Sequence, residues 1–286
     1  MSNLRLVRDF DVKTVDMQSG KWPAMLEYSF KKTGFAVLKN HGVDFRNIEA
    51  LYVQWAQFFA STQKHMYKSE DGNSGYIPFR SENAKGNPIK DLKEFYHVLS
   101  PFEKVPNGVS RMITEKLTDD MTKIARHLLF VLQPSIPREL HQLQGETIHN
   151  MIKGPNNNLL RILYYPAIEG EVESGAVRAA AHEDINLITL LPAATQPGLE
   201  VQDLTGNWHK IQCDPGTIVV NVGDMLQEAS GGLFKSTTHR VVNPEGKNVA
   251  RYSMAFFVHP RSSCVLSKNY TAGQFLDERL KEIGLK

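Results

Sequence analysis

A β-sandwich or jelly roll covered by helices is the fold class this sequence predicts, on three observations. From 159 to 258 the chain runs as short segments of branched and aromatic residues divided by Gly and Pro turns, the spacing of a sheet-rich core. Before them, apolar residues recur at helical rather than alternating intervals. No linker-like stretch separates the two parts, so helices and strands are expected to share one layered unit. The expected organisation is a helical region at 1–150, a β core at 151–270 and a C-terminal helix at 271–286, integrated as one domain.

The first helix is predicted at 21–33, where Trp22, Met25, Leu26 and Phe30 share a face and Gly34 can end it. A short strand follows at 35–38. Asp44 is a plausible N-cap for a long amphipathic helix marked by Ile48, Leu51, Tyr52, Trp55, Phe58 and Phe59. Residues 69–92 are rich in Gly, Asn, Ser and Pro and read as a long loop, a length that often carries function. Another helix is predicted at about 110–133, through Leu117, Met121, Ile124 and Leu128. Strands are then expected at 159–165, 186–191, 199–202, 217–222, 239–242 and 252–258, and a helix returns at 272–283, where Leu276, Leu280 and Ile283 form a packing face.

Bulk composition narrows the function. A net charge of +2, from 33 basic and 31 acidic residues, gives no reason to expect a nucleic-acid or membrane partner. Cys213 and Cys264 form no Cys-x-x-Cys, which points to a reduced, cytoplasmic setting. The opening residues are charged where a signal peptide needs an apolar run, and no stretch approaches the roughly 18 apolar residues of a spanning helix. A small-molecule substrate is the expected partner, and oligomeric state is left open.

The chemistry lies in three pieces. In a strand, positions i and i+2 face the same side, so His182 and Asp184 would point together and Glu183 away. His239 follows 239 − 184 = 55 residues later, a separation a jelly roll can close. Two histidines and one carboxylate on one side of a metal form the facial triad of non-haem iron(II). Arg251 and Ser253 share a face in an otherwise apolar strand; the arginine fork suits a carboxylate, and burial would demand one.

These residues, with 216–227, Lys235–Thr238 before His239, 34–42, 75–79 and 91–95, resemble the isopenicillin N synthase-like branch of the Fe(II)/2-oxoglutarate-dependent oxygenases over nearly the whole chain. The resemblance implies a double-stranded β-helix (jelly-roll, cupin-like) core. It implies iron(II) on His182, Asp184 and His239, and 2-oxoglutarate on Arg251, Ser253 and Tyr165. Oxygen would be the third reactant, with succinate and carbon dioxide formed while an unactivated C–H bond is oxidised. Leu163 departs from the asparagine often found there in plant members.

Alternation extends the pattern to substrate. Arg161 shares a face with Leu163 and Tyr165, and Phe257 and His259 share one with Arg251 and Ser253. An inward Arg161 predicts a carboxylate-bearing substrate, with an internal salt bridge as the competing explanation. Tyr76, Phe79 and Arg80 lie in the long loop, where a lid could close. Hydroxylation is the expected outcome. One alternative is a 2-oxoglutarate-independent oxidase of the isopenicillin N synthase type, disfavoured because the closing residues 282–286 hold no glutamine of the kind that can bind iron in that enzyme. Another is a non-catalytic sensor on the same fold, disfavoured because all three metal ligands are present.

Overall fold

The computed structural model describes residues 10–282 except 71–73, 85, 100, 101, 103, 155–157, 213 and 246. Cys213 and Ile283 therefore lie outside the described residues. In the first half, β1 (Thr14–Asp16) is followed by α1 (Trp22–Thr33), β2 (Phe35–Lys39) and α2 (Phe45–Ala60). Then come β3 (Gly75–Ile77), β4 (Glu94–Leu99), α3 (Arg111–Leu132) and α4 (Arg138–Gln144). The second half runs β5 (Leu159–Tyr165), β6 (Ala179–His182), β7 (Ile188–Pro192), β8 (Leu199–Gln202), β9 (Trp208–Lys210) and β10 (Ile218–Val222). It ends with α5 (Asp224–Ala229), β11 (His239–Val241), β12 (Arg251–Val258) and α6 (Ala272–Glu282).

The strands form two sheets. One has eight strands in the order β1-β2-β10-β7-β12-β5-β4-β3, and the other has four in the order β6-β11-β8-β9. The non-sequential neighbours are the crossovers of a jelly roll. The first half is more than a helical cover, because β1 to β4 supply both edges of the larger sheet. Sequence periodicity finds β2 at 35–38 but misses β1, β3 and β4, for two reasons. Strands of three residues show no alternation, and β4 is buried at five consecutive positions, so neither face is polar.

Local chemistry explains the helices. The Asp44 side chain accepts from the Arg46 N–H and caps α2, and Ser110 accepts from Ile113 N–H to cap α3. α2 buries Ile48, Leu51, Tyr52, Trp55, Phe58 and Phe59, each contributing about 1.5–3 kcal/mol on burial. Phe59 stacks on Tyr164 at 5.4 Å, and Tyr164 on Tyr252 at 4.8 Å, fastening α2 to the outer face of β5 and β12. The inner face is a separate apolar cluster of Phe95, Leu163, Tyr165, Ala179, Val241 and Ala255, with Ile77, Leu191 and Phe257 against it. Alternation along β5 and β12 thus sorts Leu163, Tyr165, Ala255 and Phe257 inward, as expected from the sequence.

Gly34 joins the fold to the site. It ends α1 with φ +70, and its amide donates to Phe30 O. A Cβ there would lie 2.3 Å from Lys235 O and 2.4 Å from Thr237 Oγ1. The segment leading into His239 therefore rests directly on this glycine.

Candidate active site

His182, Asp184 and His239 converge, with one ligand atom from each lying within 4.8 Å of the others. β6 and β11 are antiparallel, and His239 stands directly opposite His182 in their register. The pairing is irregular between His239 and Val241, a bulge of the kind that re-aims side chains. Asp184 is not on the strand, contrary to the expectation that i and i+2 share a strand face, because β6 ends at His182. It is carried by the following turn, where Asp184 O accepts from Asp224 N at 2.7 Å and Ile185 O from Met225 N at 3.2 Å. The first turn of α5 thus uses its otherwise unpaired amides to hold the ligand loop. The approach is close: a Cβ on Gly223 would sit 2.2 Å from Asn186 O.

Each imidazole is oriented through its far nitrogen. His182 Nδ1 lies 2.7 Å from Ala180 O and His239 Nδ1 lies 3.0 Å from Thr237 O. A carbonyl can only accept, so both Nδ1 atoms donate and both Nε2 atoms are turned toward Asp184. Asp184 Oδ1 lies 3.9 Å from His182 Nε2 and 3.8 Å from His239 Nε2. Its other oxygen accepts from Thr189 Oγ1 at 2.5 Å and Asn221 Nδ2 at 2.8 Å.

Electrostatics favours the metal-binding forms. Burial and the adjacent His239 push His182 down to about 4, against a smaller opposing pull from Asp184, so its ring is neutral at neutral pH. Burial alone would raise the Asp184 carboxyl. The two imidazoles, Asn221 and Thr189 outweigh it and hold the group below the ordinary carboxylate range. Two imidazole nitrogens and a carboxylate oxygen on one side suit iron(II).

In the larger sheet, Tyr165 and Arg251 are register partners across β5 and β12, with the guanidinium 5.1 Å from the ring centroid. Arg251, Ser253 and Tyr165 are all buried. Arg251 Nε donates to Gln196 O at 3.0 Å, while its Nη1 has no partner. A buried guanidinium nitrogen without an acceptor fits the carboxylate of a bound cosubstrate.

The remaining predicted residues divide. Arg161 reaches the inner face, 4.5 Å from the Phe95 ring centroid and 5.4 Å from that of Phe257. There it donates to His97 Nε2 at 2.8 Å and to Glu82 at 3.2 and 3.5 Å, so the internal salt bridge weighed from the sequence is present. His259 lies just past β12, its amide donating to Asn158 Oδ1 at 3.0 Å. Tyr76 is not brought to the site. It is 1% exposed within the outer core, with its ring against Phe58 and Phe59 and its hydroxyl on Glu94. Its segment is strand β3 rather than loop, and pleat alternation turns Tyr76 outward and Ile77 inward. Phe79 is 43% exposed, and Arg80 forms an exposed pair with Glu173 at 2.9 Å; neither joins the cluster.

Sequence reasoning missed Glu82, Asp91 and Lys93. Buried Lys93 bonds Asp91 at 2.7 Å and Glu82 at 2.8 Å, and Asp91 also accepts from Ala180 N at 2.9 Å. The signal was available: Asp91, Lys93, Phe95 and His97 fall at every second residue, which places them on one face.

This architecture and this cluster define a jelly-roll oxygenase of the non-haem iron class. A family model described as the 2OG-Fe(II) oxygenase superfamily matches residues 156–260. A second, described as the N-terminal part of non-haem dioxygenases in morphine synthesis, matches residues 14–124. The chain is 40% identical to a protein from Shewanella oneidensis described as an oxygenase, whose crystal structure aligns with a TM-score of 0.85 over 96% of this chain and 100% of that one. It is 31% identical to a 2OG-Fe(II) oxygenase family protein from Caulobacter crescentus, with a TM-score of 0.74 and coverage of 95% and 99%. It is 29% identical to a 2-oxoglutarate-dependent dioxygenase of Monascus ruber, over 86% of this chain and 80% of that protein. The chain belongs to the 2OG-Fe(II) oxygenase superfamily and is a 2-oxoglutarate-dependent dioxygenase whose reaction uses iron(II), 2-oxoglutarate and O2. No described helix is long and apolar enough to cross a membrane.

Proposed function

We propose that His182, Asp184 and His239 hold the iron(II), that Arg251, Ser253 and Tyr165 hold 2-oxoglutarate, and that the enzyme hydroxylates a small carboxylate-bearing molecule. The metal and cosubstrate together supply the oxidant. The protein's own groups bind, orient and exclude water. His182 and His239 turn their Nε2 atoms toward Asp184 because their Nδ1–H groups donate to Ala180 O and Thr237 O. Phe95, Leu163, Ala255 and Phe257 line the inner face with apolar surface.

The observation that carries the substrate class is the pairing of two cations with a loop acid on that face. Lys93 keeps Asp91 as a close partner at 2.7 Å, whereas Arg161, beside its bond to His97 at 2.8 Å, meets its acid Glu82 only at 3.2 and 3.5 Å. A substrate carboxylate would take the Arg161 fork in place of Glu82, gaining two parallel charge-assisted bonds. The competing reading leaves Arg161 as a structural ion pair. Anaerobic titration with iron(II) and 2-oxoglutarate, followed by succinate release across a panel of amino acids and other carboxylates, tests the reaction. With a substrate found, Arg161→Ala should weaken its binding at least tenfold and Glu82→Gln should tighten it. Unchanged affinity in Arg161→Ala would end the substrate assignment and leave the oxygenase chemistry standing. Hydroxylated product should accumulate in step with succinate.

A further inference from the structure

Arg178 immediately precedes β6 and is 1% exposed, one of the largest fully buried side chains among the described residues. Its Nη2 donates to Val249 O at 2.6 Å, two residues before Arg251, and its Nε has no partner. Arg251 is 2% exposed and has an unpartnered Nη1. No described acidic side chain bonds either guanidinium, and each makes its only described hydrogen bond to a backbone carbonyl. The Val249 carbonyl thus anchors the Arg178 guanidinium beside the start of the strand that carries Arg251, and burial first, with Arg251 second, lowers that guanidinium below its ordinary range. Taking an ion out of water costs several kcal/mol, and two uncompensated neighbours add mutual repulsion. Such a pair is stable in a fold when an anion completes it.

We propose that Arg178 joins Arg251 in binding the distal carboxylate of 2-oxoglutarate. The assignment rests on the reading that Arg251 holds that carboxylate. Two guanidiniums present more N–H donors than one carboxylate group can be offered by a single arginine with a serine. They also make the floor of the pocket doubly positive. The pocket would therefore discriminate more strongly for a distal negative charge than Arg251 alone could.

The test compares binding of two 2-oxo acids to the iron(II)-loaded protein under anaerobic conditions, by calorimetry and by the metal-to-ligand absorption band. 2-Oxoglutarate carries the distal carboxylate, and 2-oxopentanoate has the same 2-oxo acid head and no distal charge. Arg178→Gln should weaken 2-oxoglutarate by roughly 10- to 100-fold, in line with losing charge-assisted bonds to a buried carboxylate, and leave 2-oxopentanoate within twofold. Arg178→Lys, which keeps the charge and guards against misfolding of the neutral variant, should lose less than Arg178→Gln but still lose several-fold. A purely structural arginine would weaken both acids alike. Equal 2-oxoglutarate affinity in wild type and both Arg178 variants, with Arg251→Gln still impaired, overturns the role of Arg178 and spares the cosubstrate site. Unimpaired binding in Arg251→Gln would overturn that site, and this proposal with it.

Discussion

His182 and His239 are direct register partners across an antiparallel pair, with ring centroids 4.4 Å apart and planes at 50°. Register is what places both imidazoles on the inside, since a one-residue slip turns every side chain of a strand to the other face. β11 is also paired with β8, His239 lying opposite Val201, so its register is held from both sides.

That dependence makes Gly34 a sensitive position far from the ligands in sequence. Gly34→Ala must adopt a positive φ and meet Lys235 O at 2.3 Å. We expect a loss of about 2 kcal/mol or more of stability, with weakened metal binding as the 235–238 segment shifts. Denaturant melts and metal titration on the same variant check both. A stable variant with intact metal affinity would show that the segment does not rest on this contact.

Asn221 donates to Asp184 Oδ2 at 2.8 Å from the neighbouring strand β10. Asn221→Ala leaves all three ligands in place and removes one group orienting the carboxylate. Metal affinity should drop roughly 10- to 100-fold, measured by anaerobic calorimetry with iron(II) or manganese(II). The cosubstrate residues are untouched, so 2-oxoglutarate binding at saturating metal should persist.

Tyr76 should matter for stability and not for turnover. Its hydroxyl donates to Glu94, which also accepts from Lys64 Nζ at 2.7 Å. Tyr76→Phe removes one bond to a buried carboxylate, at a cost of about 1–3 kcal/mol. Chemical denaturation should show that loss while kcat/KM stays within twofold. A fall in kcat/KM without a fall in stability would return Tyr76 to the site.

The Glu82 cluster sets a pH dependence. Burial alone would raise the Glu82 carboxyl, but Arg161 and Lys93 outweigh it and hold the group well below the usual carboxylate range. A depressed folded-state value stabilises the fold above the unfolded value, about 4.3, and the contribution is lost as pH falls toward the folded value. The stability gap between wild type and Glu82→Gln should therefore be full at pH 7 and shrink steadily below about pH 4. A gap that stays constant from pH 7 to pH 3 would contradict the ion pairing.

Much of the fold was legible because it is local. Asp44 caps the helix its position suggested, and β5 and β8 have the bounds that turn signals and branched residues predict. β1, β3 and β9 are three residues each, too short to carry a period, and β4 is buried along nearly all its length. The long loop at 69–92 hid β3, and with it the outward turn of Tyr76.

What the sequence by itself determined was the identity of the groups: two imidazoles, a carboxylate, and an arginine and serine two residues apart. Side-chain chemistry and strand alternation are encoded within a few residues, so they can be read without coordinates. Only the tertiary structure decided which groups face each other. Asp184 reaches the histidines from a turn held by α5, Arg161 is already met by Glu82 from a distant loop, and the buried Arg178 is anchored on Val249 O, two residues before Arg251. Those relations depend on pairing between segments far apart in the chain, and no local periodicity records it.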